Sequence, residues 1–174
     1  MDKSDEEEQK KKKLNNVKTF SIPFNLRDFK ENITANSHIS SKPSKEQIIN
    51  TALTLHSEGK LKEATKYYKH CIKQGFTDHR VFSNYGVILK SLGKLIEAEL
   101  YMRKAIELNP HFANAHLNLG NILKDLGKLK EAELSTRKTI QLKPDFAEAH
   151  FNHGNILKDL GRLKEAELSI RKAI

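Results

Sequence analysis

Asparagine recurs at a fixed interval in this sequence. Asn84, Asn118 and Asn152 are evenly spaced, and a second row, Asn121 and Asn155, follows three positions later on the same helical face. A carboxamide both donates and accepts hydrogen bonds, so a row of them can pair with the backbone of an extended peptide without reading its side chains. The two rows therefore predict a binding surface.

Lysine recurs at the same interval, at the ends of the same segments. Lys90, Lys124 and Lys158 align, and Asp125 and Asp159 stand beside two of them. One interpretation is a solvated edge of the surface, since exposed ion pairs contribute little to stability. The other is contact with an anionic ligand, and the sequence leaves both open.

Residues that could support catalysis or bind metal lack the partners that either chemistry needs. His116 and His150 align, and His153 lies one helical turn from His150, but no cysteine or carboxylate set completes a metal site, so we expect packing roles. Cys71 aligns with small residues, which predicts a buried, inert thiol. No phosphate-binding glycine loop, Ser-His-Asp motif or paired-carboxylate site is found. We predict no enzyme activity, no metal and no cofactor.

The spacing of the asparagine and lysine rows equals the period of a sequence repeat that covers most of the chain. Residues 146–174 match residues 112–140 at 23 of 29 positions. The third copy shows the apolar stripe of one helix, formed by Ala115, Leu119, Ile122 and Leu126. Gly127 ends that helix, a second helix is predicted at about residues 129–142, and Pro144 redirects the chain.

One such unit cannot bury its apolar face alone and must stack on its neighbours. The sequence therefore predicts an all-α solenoid of antiparallel helix pairs. Its four repeats are residues 45–78, 79–111, 112–145 and 146–174, the last being incomplete. The first copy is degenerate, with Ala52 at a glycine position and Phe76 at a proline position, which is typical of a terminal repeat.

Residues 1–44 differ in composition from the repeats. An acidic run at residues 5–8 and a basic run at residues 10–13 predict a disordered, low-complexity tail. Residues 17–34 carry alternating apolar side chains, so they either dock on the array or on another protein, or stay unstructured. Residues 35–44 are predicted to be a linker.

Charge and hydropathy restrict the location and the partners. The net charge is +9, of which residues 45–174 hold +7, and this favours acidic partners without requiring nucleic acid. No segment approaches the roughly 18 apolar residues of a membrane helix, and the N-terminus lacks the apolar run of a signal peptide. With a single cysteine as well, we expect a cytoplasmic protein without membrane insertion.

The repeat landmarks resemble the tetratricopeptide repeat (TPR). In the third copy they are His116, Leu119, Gly120, Leu123, Gly127, Ala132, Thr136, Thr139 and Pro144. The second and fourth copies carry most of the same landmarks, so the resemblance covers about three quarters of the chain. It implies a right-handed α-solenoid whose concave groove is lined by the first helix of each pair.

The asparagine rows are similar to the asparagine ladder in the repeats of O-linked N-acetylglucosamine transferases, which implies that Asn84, Asn118 and Asn152 hold an extended protein segment. The alternative is that these residues cap helices or hydrogen-bond between repeats. A carboxylate clamp of the chaperone-binding kind is disfavoured, because one of its basic positions holds Ile49, Ser83, Leu117 and Phe151.

We therefore expect a protein–protein interaction scaffold that binds a peptide in its groove. The alternative is the substrate-recruiting part of a larger glycosyl-, sulfo- or methyltransferase, because the sequence stops within a predicted helix at Ile174. RNA binding is disfavoured by the glycine, alanine and proline landmarks, which helical RNA readers lack.

Overall fold

The computed structural model describes residues 42–174 of the chain. The predicted disordered tail and the 17–34 segment lie outside the described residues. Residues 42–174 form eight helices and no strand: α1 Lys45–Ser57, α2 Leu61–Lys73, α3 His79–Ser91, α4 Leu95–Leu108, α5 Ala113–Asp125, α6 Leu129–Leu142, α7 Ala147–Asp159 and α8 Leu163–Arg171. Consecutive helices pack as pairs, and the pairs stack in chain order.

Local sequence signals set the ends of these helices. Helix α1 begins at a capping box: the Gln47 N–H donates to the Ser44 Oγ at 3.2 Å, and the Ser44 N–H donates to the Gln47 Oε1 at 2.7 Å. Helix α5 ends at Gly127, whose φ of 74° lies in the left-handed region. The Gly127 N–H donates to the Lys124 carbonyl at 2.9 Å, which satisfies one of the last free carbonyls of the helix.

Each proline turn between two pairs is held by a histidine. The Nε2 atoms of His116 and His150 hydrogen-bond the carbonyl oxygens of Pro110 and Pro144 at 2.9 and 2.7 Å. His150 is buried and His116 is half-buried, as expected for a packing position. Burial also lowers the pKa of His116, which favours its neutral ring. The hydrogen bond to the turn was not apparent from the sequence.

The core lies between the two helices of each pair. Its largest fully buried side chains include Tyr68, Ile49, Met102, Ile122, Leu123, Ile156 and Leu157. Cys71 is fully buried as predicted, and burial raises the pKa of its thiol to about 11, so the thiolate is disfavoured at neutral pH.

The array has a concave side formed by the first helix of each pair. Among residues 42–174, α1 packs on α3, α3 on α5 and α5 on α7, whereas the second helices do not approach one another as closely. We call α1, α3, α5 and α7 the inner helices, and α2, α4, α6 and α8 the outer helices. Closer spacing on the inner side makes that side concave, which confirms the predicted all-α solenoid.

A largely buried carboxylate links the outer helices α4 and α6. The Glu99 side chain is 12% exposed, and it accepts hydrogen bonds from the Lys128 Nζ at 2.7 Å and the Arg103 Nη2 at 2.8 Å. The same Arg103 atom contacts the Glu131 Oε2 on α6 at 2.6 Å. These four residues, the Glu99 cluster, therefore join two neighbouring pairs.

The next repeat boundary carries an equivalent arrangement. Glu133 on α6 is buried and accepts from the Arg162 Nη1 at 2.8 Å and from Arg137. Thr65 stands at the corresponding position of α2, so the first boundary has no such carboxylate. The residue at this one repeat position, glutamate or threonine, therefore determines which boundaries between repeats have the ionic contact.

Burial by itself would raise the pKa of the Glu99 carboxyl, but hydrogen bonds from Lys128 and Arg103 outweigh that effect and lower the pKa. A carboxyl with a lowered folded-state pKa stabilises the fold fully above its unfolded-state pKa, close to the ordinary glutamate value of 4.5. That stabilisation is lost as the pH falls from there through the lowered folded-state value.

Replacing Glu99 with Gln should therefore reduce the free energy of unfolding at pH 7 by about 1.5–3 kcal/mol and flatten its decline below pH 4.5. Urea titrations at a series of pH values measure both effects. Glu97→Gln is the matched control, because Glu97 is exposed and its one ion pair within residues 42–174 is with Lys94 of its own repeat, at 3.1 Å. Equal effects of the two variants would contradict the role given to Glu99.

The close approach of α5 and α6 predicts that a side chain at Gly120 would destabilise the fold. A Cβ on Gly120 would lie 2.7 Å from the Thr136 Cγ2, so Gly120→Ala should lower the free energy of unfolding by a net amount of about 1–2 kcal/mol, although alanine favours the helix. Adding Thr136→Ser removes Cγ2 and keeps the hydroxyl that donates to the Ala132 carbonyl at 3.1 Å. Denaturant unfolding should then show recovered stability, and a double variant no more stable than Gly120→Ala would refute the steric explanation.

Candidate functional site

The structure places both asparagine rows on the inner helices. Asn84 lies on α3, Asn118 and Asn121 on α5, and Asn152 and Asn155 on α7. All five side chains are partly exposed. Because these helices are neighbours, the two rows cross successive inner helices of the array.

A fourth member of the first row lies on α1. Asn50 occupies the same repeat position as Asn84, one copy earlier in the chain, and is exposed. The sequence rows predicted above do not include Asn50, because the first copy departs from the others at its glycine and proline positions. The interval alone was sufficient to find it.

Asn84 differs from the rest of its row because it is bonded within the array. Its side chain hydrogen-bonds the hydroxyl of Tyr68 on α2, and the His56 Nδ1 on α1 lies 3.1 Å from the same hydroxyl. Burial raises the pKa of the Tyr68 phenol, so the hydroxyl stays neutral. Asn84 thus hydrogen-bonds between repeats. This is the alternative role that the sequence predicted for the asparagine row.

The other four predicted asparagines make no side-chain hydrogen bond within residues 42–174: Asn118, Asn121, Asn152 and Asn155. Met102 and Thr136 occupy the position of Tyr68 in the second and third repeats, so neither presents a phenol to Asn118 or Asn152. These carboxamides are available to a ligand. Each can donate and accept at the same time.

The lysine row forms ion pairs between inner helices. The Lys90 Nζ lies 3.4 Å from the Asp125 Oδ2, and the Lys124 Nζ lies 3.7 Å from the Asp159 Oδ2. Lys90 and Lys124 thus each pair with an aspartate of the following repeat, and Lys124 does not pair with Asp125, its neighbour in sequence. Lys158 is exposed and has no ion pair within the part of the chain that the structure describes. Such partly exposed pairs contribute about 0–1 kcal/mol each.

No group of three or more His, Cys, Asp and Glu side chains within residues 42–174 is arranged to hold a metal ion. In the same range, no helix is both long enough and apolar enough to cross a membrane.

Family models described as tetratricopeptide repeat match several stretches of the sequence. One model matches residues 49–74, 79–112 and 147–174, and a second matches residues 101–133. The chain belongs to the tetratricopeptide repeat family. A comparison with curated protein sequences gives no match.

Solved structures share the fold. A crystal structure of MamA is 24% identical in sequence, with a TM-score of 0.69 over 75% of this chain and 76% of the MamA chain. The crystal structure of YrrB, a TPR protein with an unusual peptide-binding site, is 23% identical, with a TM-score of 0.67 over 75% of this chain and 68% of the YrrB chain. Both similarities concern the arrangement of the helices.

The different environments of the asparagines predict different effects on stability. Asn84→Ala removes the bond to Tyr68, so it should lower the free energy of unfolding by about 1 kcal/mol. Asn118→Ala should leave the free energy of unfolding unchanged or raise it by a few tenths of a kcal/mol, because alanine favours the helix and no bond is lost. Thermal and urea unfolding compare the variants. A loss in Asn118→Ala equal to that in Asn84→Ala would mean that both carboxamides are structural.

Proposed function

We propose that this protein is an interaction scaffold whose concave groove binds an extended peptide or protein segment. The observation that carries the proposal is the set of four carboxamides on α5 and α7 that have no partner within residues 42–174. Partly exposed amides on neighbouring helices suit a ligand that offers backbone N–H and C=O groups in a regular series.

The spacing of the helices agrees with this ligand. Packed helices lie about 8–10 Å apart, and an extended chain rises about 3.3 Å per residue, so successive inner helices meet about every third residue of the ligand. Asn50 and Asn84 would continue the track towards α1, although Asn84 shares its amide with Tyr68. Lys90, Lys124 and Lys158 would border it. The likeness in fold to YrrB, a TPR protein with a peptide-binding site, is consistent with this use of the array.

The proposal includes a cytoplasmic location and a protein or peptide partner without a metal. A single, buried cysteine fits a reducing compartment. The comparisons do not favour the alternative of a transferase recruiting segment, since the matching families and structures are those of TPR proteins. For a nucleic-acid partner, binding should fall steeply with rising salt, whereas a carboxamide track predicts a weak salt dependence.

The test uses the full chain and a library of extended peptides. Asn118→Ala combined with Asn152→Ala should weaken capture of the library at least tenfold, because two sets of backbone hydrogen bonds of about 1 kcal/mol each are lost. Lys130→Ala combined with Lys164→Ala is the matched control, since these exposed lysines share one repeat position on the outer helices α6 and α8. Circular dichroism confirms that helicity is retained. Unchanged capture by the asparagine variant would exclude the groove as the binding site.

A further inference from the structure

The two halves of the groove differ in chemistry at one repeat position. Three positions after each member of the first asparagine row stand, in chain order, Leu53, Val87, Asn121 and Asn155. All four are partly exposed and lie on the same face of successive inner helices. The position is therefore aliphatic in the first two repeats and a carboxamide in the last two.

Charge along the first half of the groove is compensated within the array. Arg80 at the start of α3 pairs with Asp78 at 2.7 Å and with Glu46 on α1 at 3.1 Å. Lys90 at the end of α3 pairs with Asp125, as described above. A charged ligand side chain would have to compete with these pairs, so the aliphatic half favours an uncharged one.

The carboxamide half offers little apolar surface at this position. A ligand side chain placed over Asn121 and Asn155 would cover two polar groups, and any amide left without a hydrogen bond would oppose binding. Backbone contact with small or polar ligand residues keeps these amides bonded. Among these four positions, an apolar ligand side chain is favoured over Leu53 and Val87, where it removes aliphatic surface from water.

From this division we infer, resting on the proposed function, that the groove selects an extended segment with a defined polarity, which is uncharged where it crosses α1 and α3. Apolar side chains about three residues apart lie over Leu53 and Val87, and small or polar residues cross Asn121 and Asn155. The inner helices thus bind the backbone of the segment, and they also select a segment whose apolar residues lie at one end.

Labelled synthetic peptides of about nine to twelve residues, the length that four inner helices span, provide the test. Their scaffold is Gly, Ser and Asn, and a pair of leucines separated by two scaffold residues is placed near one end, near the other end, or omitted. With the full chain, fluorescence polarisation should show about tenfold tighter binding for one leucine placement only. Leu53→Asn with Val87→Asn should abolish that gain.

The reciprocal variant keeps the test decisive if the first variant is destabilised. Asn121→Val with Asn155→Val should create a gain for the opposite leucine placement. Leu100→Asn with Leu134→Asn, which changes exposed leucines at one repeat position of the outer helices, should leave the effect of leucine placement on binding unchanged.

If no peptide binds the unaltered chain, the proposed function fails. If peptides bind but leucine placement has no effect, or if neither groove variant shifts the preference, the inference about polarity is wrong while the groove remains the binding site.

Discussion

The whole array depends on how closely the two helices of a pair approach each other. At Gly120 and Gly154 there is no room for a Cβ beside the facing Thr136 and Ile170 side chains. Glycine in a helix interior costs about 1 kcal/mol relative to alanine, so the backbone contact must offset that cost. This contact fixes the angle and depth of the third and fourth pairs, and through stacking it fixes the spacing of their inner helices. The asparagine rows line up only because that spacing repeats.

Ion pairs also join each helix pair to the next one along the array. The Glu99 cluster and the Glu133 contacts lie on the outer helices, where neighbouring backbones are farther apart and only long side chains span the gap. The Lys90–Asp125 and Lys124–Asp159 pairs lie on the inner side, where the helices are close. None of these ion pairs involves an asparagine of the two rows.

The sequence was sufficient to predict the helices, because period and landmarks act locally. The stripe ending at Leu126, the turn at Gly127 and the second helix at 129–142 all agree with the structure. Contacts that depend on the stacking angle were not predictable. The pairs Glu99–Lys128 and Lys90–Asp125 each join two repeats, and neither pair is separated by the repeat interval itself. The bond from Asn84 to Tyr68 also needs a phenol that only the first repeat supplies at that position.

The first boundary shows how a degenerate repeat can be kept in register. Thr65 stands in place of the glutamate, so the ionic contact of the later boundaries is absent there. Instead, the Tyr68 hydroxyl joins α1 and α3 through His56 and Asn84, and Arg80 reaches Glu46 across the same boundary. A hydrogen bond to a buried phenol is less sensitive to salt than an exposed ion pair. As a result, the Asn84 carboxamide is bonded within the array. No side-chain hydrogen bond within residues 42–174 involves the row asparagines of α5 and α7, whose boundary is held by Glu133 and Arg162 on the outer side of the array.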